Sequence, residues 1–241
     1  MKKKWLIAAL AVLLTVAFSS QMFAAGSKPV EMNGDTIEYD TVTGIMTAQG
    51  GIRVVQDNGV MTGDTAVYNT KTQEATVTGN VKVVKEKSTL TAPKVVSFNN
   101  NHIIATDGAV LVNEDKTLRG PQIDYYADRQ YAIATGGATV ISQDATMTAD
   151  QVESFLAEDR AVAQRNVHIV SDMRKLDAVS DLATYYGAKA AQNQGKVILT
   201  GNARAVQDGN VLTGNVLTIY LDDKAMDSQG RSKLVVTPKQ Q

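Results

Sequence analysis

The sequence predicts an all-β fold, repeat-built from bent antiparallel strands. Three observations carry that prediction. An apolar anchor recurs at Met32, Met61, Leu90, Leu118, Met147, Leu176 and Leu212, with spacings of 29, 29, 28, 29, 29 and 36 residues. A second marker recurs at Gly51, Asn80, Gly108, Gly137, Asn166 and Asn202, spaced 29, 28, 29, 29 and 36. Between the marks, residues alternate apolar and polar, the period of a strand with one dry face. Two columns that keep one rhythm and share one slip define about seven repeats of 29 residues.

The N-terminus stands outside the repeat. Lys2, Lys3 and Lys4 precede an uncharged run from Trp5 to Phe18, and Ala24-Ala25 lie just before Gly26. This is the layout of a secretory signal peptide over 1–25, and the run is shorter than the ~20 apolar residues of a spanning helix. The chain is therefore expected to be exported; an uncleaved N-terminal anchor is the alternative. No cysteine follows the apolar run, so a lipid-modified cysteine, a disulfide and a thiolate metal site are all excluded. Without the three leader lysines, 21 basic residues face 25 acidic ones, a net charge of −4. Binding to nucleic acid rests on Lys and Arg neutralising phosphates, so nucleic acid is not an expected partner.

The repeat domain spans 26–236, followed by a tail at 237–241. Residues 26–34 form a short lead-in, and from Asp35 the period is two, with Ile37 and Tyr39 apolar. Asp40 to Gly44 is a turn. Asp57-Asn58-Gly59 is the strongest hairpin signal, because Asn-Gly readily takes the positive φ of a tight turn. Thr70 to Gln73, Asn99 to Asn101, Ala127 to Arg129 and Glu158 to Arg160 are turns in later units. Residues 178–194 fit either a strand pair or a short helix, and they carry the seven-residue insertion behind the spacing of 36.

Each unit thus reads as two strands with a small residue near the middle of each. In the second strand that residue is Gly34, Gly63, Ala92, Gly120, Ala149, Ala178 or Gly214. Small residues inside strands mark bends or bulges. Strands that bend halfway belong to two facing sheets at once.

Aligned on the bend, four columns are apolar throughout. They are Met46, Ala75, Ile103, Ala132, Ala161 and Val197; then Ala48, Val77, Ala105, Ala134, Ala163 and Leu199. After the bend come Ile52, Val81, Ala109, Ala138, Val167 and Ala203, then Val54, Val83, Leu111, Val140, Ile169 and Ala205. The intervening column, Arg53, Lys82, Val110, Thr139, His168 and Arg204, is mostly polar. One face is dry and the other wet. Ala66 and an aromatic column of Tyr39, Tyr68 and Tyr125 complete the dry face as core filler. The first and last units have no polar or helical cap, so both ends of the sheet invite strand addition.

Catalytic chemistry has no foothold. His102 and His168 lie in different units with no recurring third group. Asp35, Asp64 and Asp150 share one place after the bend, where the other units have Pro93, Pro121 and Asn215, so they read as bend residues and not as metal ligands. No nucleophile elbow, metalloprotease helix or phosphate loop is present. No cofactor or metal is expected, and the chain does not read as an enzyme.

Thr62-Gly63-Asp64-Thr65-Ala66-Val67-Tyr68 and Val77-Thr78-Gly79-Asn80-Val81-Lys82-Val83 resemble the repeats of the OstA-like (LptA) family. That family includes the periplasmic bridge of lipopolysaccharide transport, its inner-membrane-anchored relative and the N-terminal domain of the outer-membrane translocon. The resemblance covers roughly 32–236 and weakens from Gln151 to Lys175. It implies an antiparallel β-jellyroll of bent strands forming an open, V-shaped two-sheet trough in the periplasm. Its partners would be lipopolysaccharide, the inner-membrane transport components, the outer-membrane translocon and further copies of itself, joined head to tail.

The lipid's acyl chains would lie in an apolar groove. The lining residues are then Ile37, Tyr39, Met46, Ala48, Ile52, Val54, Ala66, Tyr68, Ala75, Val77, Val81, Val83, Ile103, Ala105, Leu111, Ala134, Val140 and Ile169. The alternative is a structural or adhesive β-solenoid whose same columns close into an ordinary core.

Overall fold

The computed structural model describes residues 31–237, apart from 57–58, 86–87, 99–101, 114–115, 127, 143–144, 188–189, 191–194 and 222–224. The leader at 1–25, the Asp57-Asn58 pair and the Asn99 to Asn101 turn lie outside the described residues.

Period-two alternation makes strands throughout. They are β1 (Glu31–Asn33), β2 (Thr36–Asp40), β3 (Ile45–Gln56), β4 (Gly59–Asn69), β5 (Glu74–Lys85), β6 (Ser88–Phe98), β7 (His102–Asn113) and β8 (Lys116–Tyr126). There follow β9 (Tyr131–Ile141), β10 (Thr146–Phe155), β11 (Arg160–Ser171), β12 (Leu176–Tyr186), β13 (Lys196–Gln207), β14 (Asn210–Tyr220) and β15 (Met226–Val235). Helix among the described residues is limited to the 3-10 turn Leu156–Glu158.

The strands form one sheet in sequence order, β1-β3-β4 onward to β15, with β2 beside β3. The first and last strands do not pair, so the sheet is open. The pairing is antiparallel, as between β3 and β4, where Gln56 faces Gly59 across a two-residue connection. That excludes a parallel solenoid. Strands β1 and β2 are two halves of one strand interrupted at Gly34 and Asp35: the first half pairs with Arg53 to Val55 and the second with Ile45 to Gln49.

The bends are bulges. Between β4 and β5 the register jumps from Thr62↔Lys82 to Thr65↔Thr78, leaving one more residue on β5 than on β4. The same jump recurs between β5 and β6, β10 and β11, and β13 and β14. An extra residue kinks its strand and sharpens the twist. The marker column supplies the backbone the kink needs: Gly50-Gly51, Gly79-Asn80, Gly136-Gly137 and Gly201-Asn202 all have positive φ. Asp107 and Arg165 take the same left-handed conformation without being glycine, at φ 68° and 60°. Small residues on the facing strands serve closeness instead. A Cβ at Gly63 would stand 2.6 Å from the Val77 side chain.

Two compact units divide the described residues, one comprising 31–114 with 119–134, the other 116–118 with 135–237. In both, the four apolar columns are buried, from Ile52 and Val81 in the first to Val167 and Leu199 in the second. Each such Val, Leu or Ile contributes about 1.5–3 kcal/mol on leaving water.

The repeat register needs one correction. In β12 the bulge falls at Ser180 and Asp181: the pairing with β13 jumps from Val179↔Arg204 to Leu182↔Thr200, and that with β11 passes over Asp181 between Ser180↔Val167 and Leu182↔Gln164. The anchor of this unit is therefore Ala178, which pairs with Ile169 and Ala205, and not Leu176, which pairs with Ser171 and Gln207. The small residue of β12 is correspondingly Ser180. The seven extra residues are split: two lengthen the β11–β12 turn at 172–175, and five lengthen the connection between Tyr186 and Lys196. Residues 178–186 are strand, not helix.

Candidate functional site

The inner face is built from every second side chain. In β5, Ala75, Val77, Val81 and Val83 are all buried, and Lys82 between the last two is exposed. The groove residues named from sequence follow this rule. Ala48, Ile52, Val54, Ala105, Leu111, Ala134 and Val140 are no more than 1% exposed. Ala66, Tyr68, Ile103 and Ile169 are buried as well, and Met46 is half-buried. Arg53 and Arg204 point to water as expected.

Two of the named residues stand apart. Ile37 and Tyr39 face the same side, paired with Ala48 and Met46, yet they are 46% and 52% exposed. Their strand β2 is at the sheet's edge, and among the described residues no further strand covers it. Tyr39 is thus a rim residue and not core filler. At the other edge, Leu234, Val235 and Val236 are also exposed. Each terminal strand leaves one side without a strand partner among the described residues.

The aromatic column has a member that the sequence numbering hid. Seven residues after each anchor stand Tyr39, Tyr68, Ser97, Tyr125 and Ser154; counted from Ala178, the next is Tyr185. Tyr185 pairs with Ala161 and Val197 of the first inward column and is 2% exposed. Burial, and then the charge of Asp159, push its phenol well above the ordinary tyrosine range. Burial also raises Tyr68 and Tyr125. From Tyr68 to Tyr185 large and small side chains alternate along the column, and the Oγ of Ser154 is buried without a hydrogen-bond partner.

The aspartates after the bend are corner staples. Asn80 Nδ2 donates to Asp64 at 3.1 Å, Asn166 Nδ2 to Asp150 at 3.1 Å, and Asn202 Nδ2 to Asp181 at 2.8 Å. The carboxylate thereby ties one strand to the left-handed pair of the next, as a bend role requires. Asp181 belongs to this set; it was hidden by the same slip as Tyr185.

Both histidines sit outside the inner face. His102 stacks on Tyr126 with ring centroids 4.1 Å apart and bonds Asp124 at 2.8 Å. Arg129 lies over Tyr126 at 4.2 Å, extending an outward aromatic row. His168 meets Asp177 at 3.3 Å on the surface. Among the described residues no group of His, Asp and Glu has metal-binding geometry, and no helix is long and apolar enough to cross a membrane.

Within the unit 135–237, facing halves of the strands enclose an apolar cavity of about 40 Å³. Val140, Met147 and Ile169 line one wall and Tyr185, Val197 and Ile219 the other. Arg174, 5% exposed, closes one side of it from the lengthened β11–β12 turn.

Residues 63–225 match the family described as LptA/(LptD N-terminal domain) LPS transport protein. Residues 26–93 match the family of OstA-like proteins. No curated protein matches the chain. Among solved structures it is similar to LptH, the LptA-homologous periplasmic component of the lipopolysaccharide transport device from Pseudomonas aeruginosa. The identity is 21%, over 45% of this chain and 82% of that one, with a TM-score of 0.41.

Proposed function

Because the chain belongs to the LptA/LptD N-terminal-domain family of lipopolysaccharide transport proteins, we propose that it is a periplasmic carrier of lipopolysaccharide. Acyl chains lie against the inward columns, and the free edges of β1, β2 and β15 join further copies or the membrane-bound components of the same system. The observation that carries this reading is the set of buried apolar columns in an open-ended sheet, set against charged residues of the outer column at Arg53, Lys82 and Arg204.

The inner side chains already cover one another. A lipid therefore enters by parting the facing halves, exchanging contacts between side chains for contacts with acyl chains. Both sides of that exchange are apolar, so it costs little, and each methylene newly taken from water contributes about 0.8 kcal/mol. Such contacts are non-directional, which makes binding broad with respect to acyl structure. With a net charge of −4 and an anionic ligand, bulk charge attraction is not the driving force.

Affinity for fluorescent lipopolysaccharide is expected to change little from about 0.1 to 1 M salt, over which the screening length falls from about 10 to about 3 Å. A steep loss of affinity with salt, or no binding at all, overturns the proposal. The burial of the inner columns favours one second reading, a structural module with a permanently closed core, and absence of binding is its signature. N-terminal sequencing of the exported protein separates a soluble carrier from the anchored relative: a start near Gly26 supports the carrier.

A further inference from the structure

The β11–β12 turn is two residues longer than the two-residue connection between β3 and β4, and the excess has a consequence. It carries Arg174 inward to 5% exposure. There the main-chain N–H of Arg174 donates to Ser171 Oγ at 3.3 Å, and its carbonyl accepts from Gln207 Nε2 at 3.5 Å. Its guanidinium donates from Nη1 to the carbonyl of Tyr220 at 3.1 Å and from Nη2 to that of Leu221. Those carbonyls end β14, on the opposite rim from the turn: β12 starts at the turn, and Tyr220 lies at the far end of its own strand, paired with Lys196. One side chain therefore ties the two rims together over the apolar cavity.

We propose that Arg174 is a releasable latch on a binding site for an anionic amphiphile. The acyl chain occupies the cavity behind the latch, and the headgroup takes over the guanidinium from the two carbonyls. This rests on the lipid-carrying function proposed above, and it assigns the charge-reading element of that function. Three arguments support it. The cavity, about 40 Å³, has room for about three waters and not for a chain of methylenes, so occupation requires the rims to part. The two acceptors of the guanidinium among the described residues are main-chain carbonyls without formal charge, whereas a carboxylate or phosphate accepts two charge-assisted bonds from the same planar fork. The walls are aliphatic apart from Ser142, Ser171 and the tyrosine, so a chain entering the opened space meets surface of its own kind.

The test compares cis-parinaric acid with its methyl ester, which share a chain and differ in head charge, by fluorescence titration of the full exported chain. The wild type is expected to prefer the acid at least about tenfold, the worth of a charge-assisted bond. Arg174→Gln should bring the two affinities within about twofold of each other by strengthening the ester and weakening the acid, because the rims are freed and the charge is gone. Arg174→Lys keeps the charge and should keep most of the acid preference, with circular dichroism and thermal unfolding verifying the fold of each variant. If Arg174→Gln binds both probes with the wild-type ratio, the latch falls and the carrier function stands. If the wild type binds neither probe, both fall. If Arg174→Gln does not fold, Arg174→Lys decides: loss of the preference in that folded variant overturns the latch.

Discussion

Strands β3 to β6 and strands β11 to β14 carry the same inward columns, but only the first set keeps the repeat's length. In β3 to β6 the connections are short and each corner is held by a glycine or amide step, as at Gly79-Asn80 against Asp64. In β11 to β14 two residues are added at one rim and five at the other, yet Ala163, Leu199, Ala203 and Ala205 stay buried. The bulges absorb nothing of the change: Asp181 still meets Asn202 as Asp64 meets Asn80. Register is set by the dry face and the corners, so extra chain collects at the rims, where it costs little and is free to acquire a new role such as that of Arg174.

The comparison breaks first at the columns. Ile52→Ala in the regular set and Leu199→Ala in the slipped set should each cost about 2–5 kcal/mol in denaturant unfolding. Both side chains are at most 1% exposed, so a small loss at one of them alone would mean that the inward columns of the two sets are not packed alike. The corners come next. Asp64→Ala and Asp181→Ala should each cost about 0.5–1.5 kcal/mol, the net worth of one exposed hydrogen bond whose freed amide is taken up by water. A negligible effect at Asp181 alone would show that the slipped set holds its corner in another way.

Tyrosine titration sharpens the contrast between rim and interior. Residues 26–241 contain no tryptophan, so the near-ultraviolet absorbance of a chain lacking the expected leader reports tyrosine. Tyr185 is raised by burial and by Asp159, whereas Tyr39 at the edge is half exposed. Burial favours the neutral phenol. The stability Tyr185 contributes is therefore complete below its unfolded pKa of about 10 and is lost as pH rises towards its higher folded value. Tyr185→Phe should flatten that alkaline loss, measured as unfolding midpoint against pH; an unchanged slope contradicts the assignment. The smallest effect belongs to Ser154→Ala. Removing a buried hydroxyl that has no hydrogen-bond partner should leave stability equal or raise it by up to about 1 kcal/mol.

Much of this fold was open to reading because the repeat states each rule several times. Alternation around Arg53 and Lys82 assigned the faces, and the marker column from Gly51 to Asn202 located the positive-φ kinks of β3, β5, β7, β9, β11 and β13, though not the one at Gly230 in β15. What escaped was a matter of counting. The anchor spacing of 29 pointed to Leu176, and an apolar residue does stand there, because Leu176 opens its strand on the inward face, at the buried place that Gly59 and Ser88 hold in the regular units. Counting from Leu176 puts Tyr185 and Asp181 out of step with Tyr68 and Asp64, although the Asp-to-Asn pairing across each corner would have realigned them. Arg174 had no sequence signal beyond the two extra turn residues, since a lone arginine in a turn ordinarily faces water. Ile37 and Tyr39 show what the pattern leaves out: alternation reports which face a residue is on, not whether a neighbouring strand covers that face.

The central claim is that the inward columns meet lipid and the outward column does not. Photocrosslinking amino acids placed one at a time at Val83, Ala105 and Ala134, with Arg53 and Lys82 as outward controls, test it directly in cells making lipopolysaccharide. The account predicts lipopolysaccharide adducts at the three inward positions and none at the two controls. Adducts at none of the three, or equally at Arg53 and Lys82, would contradict it.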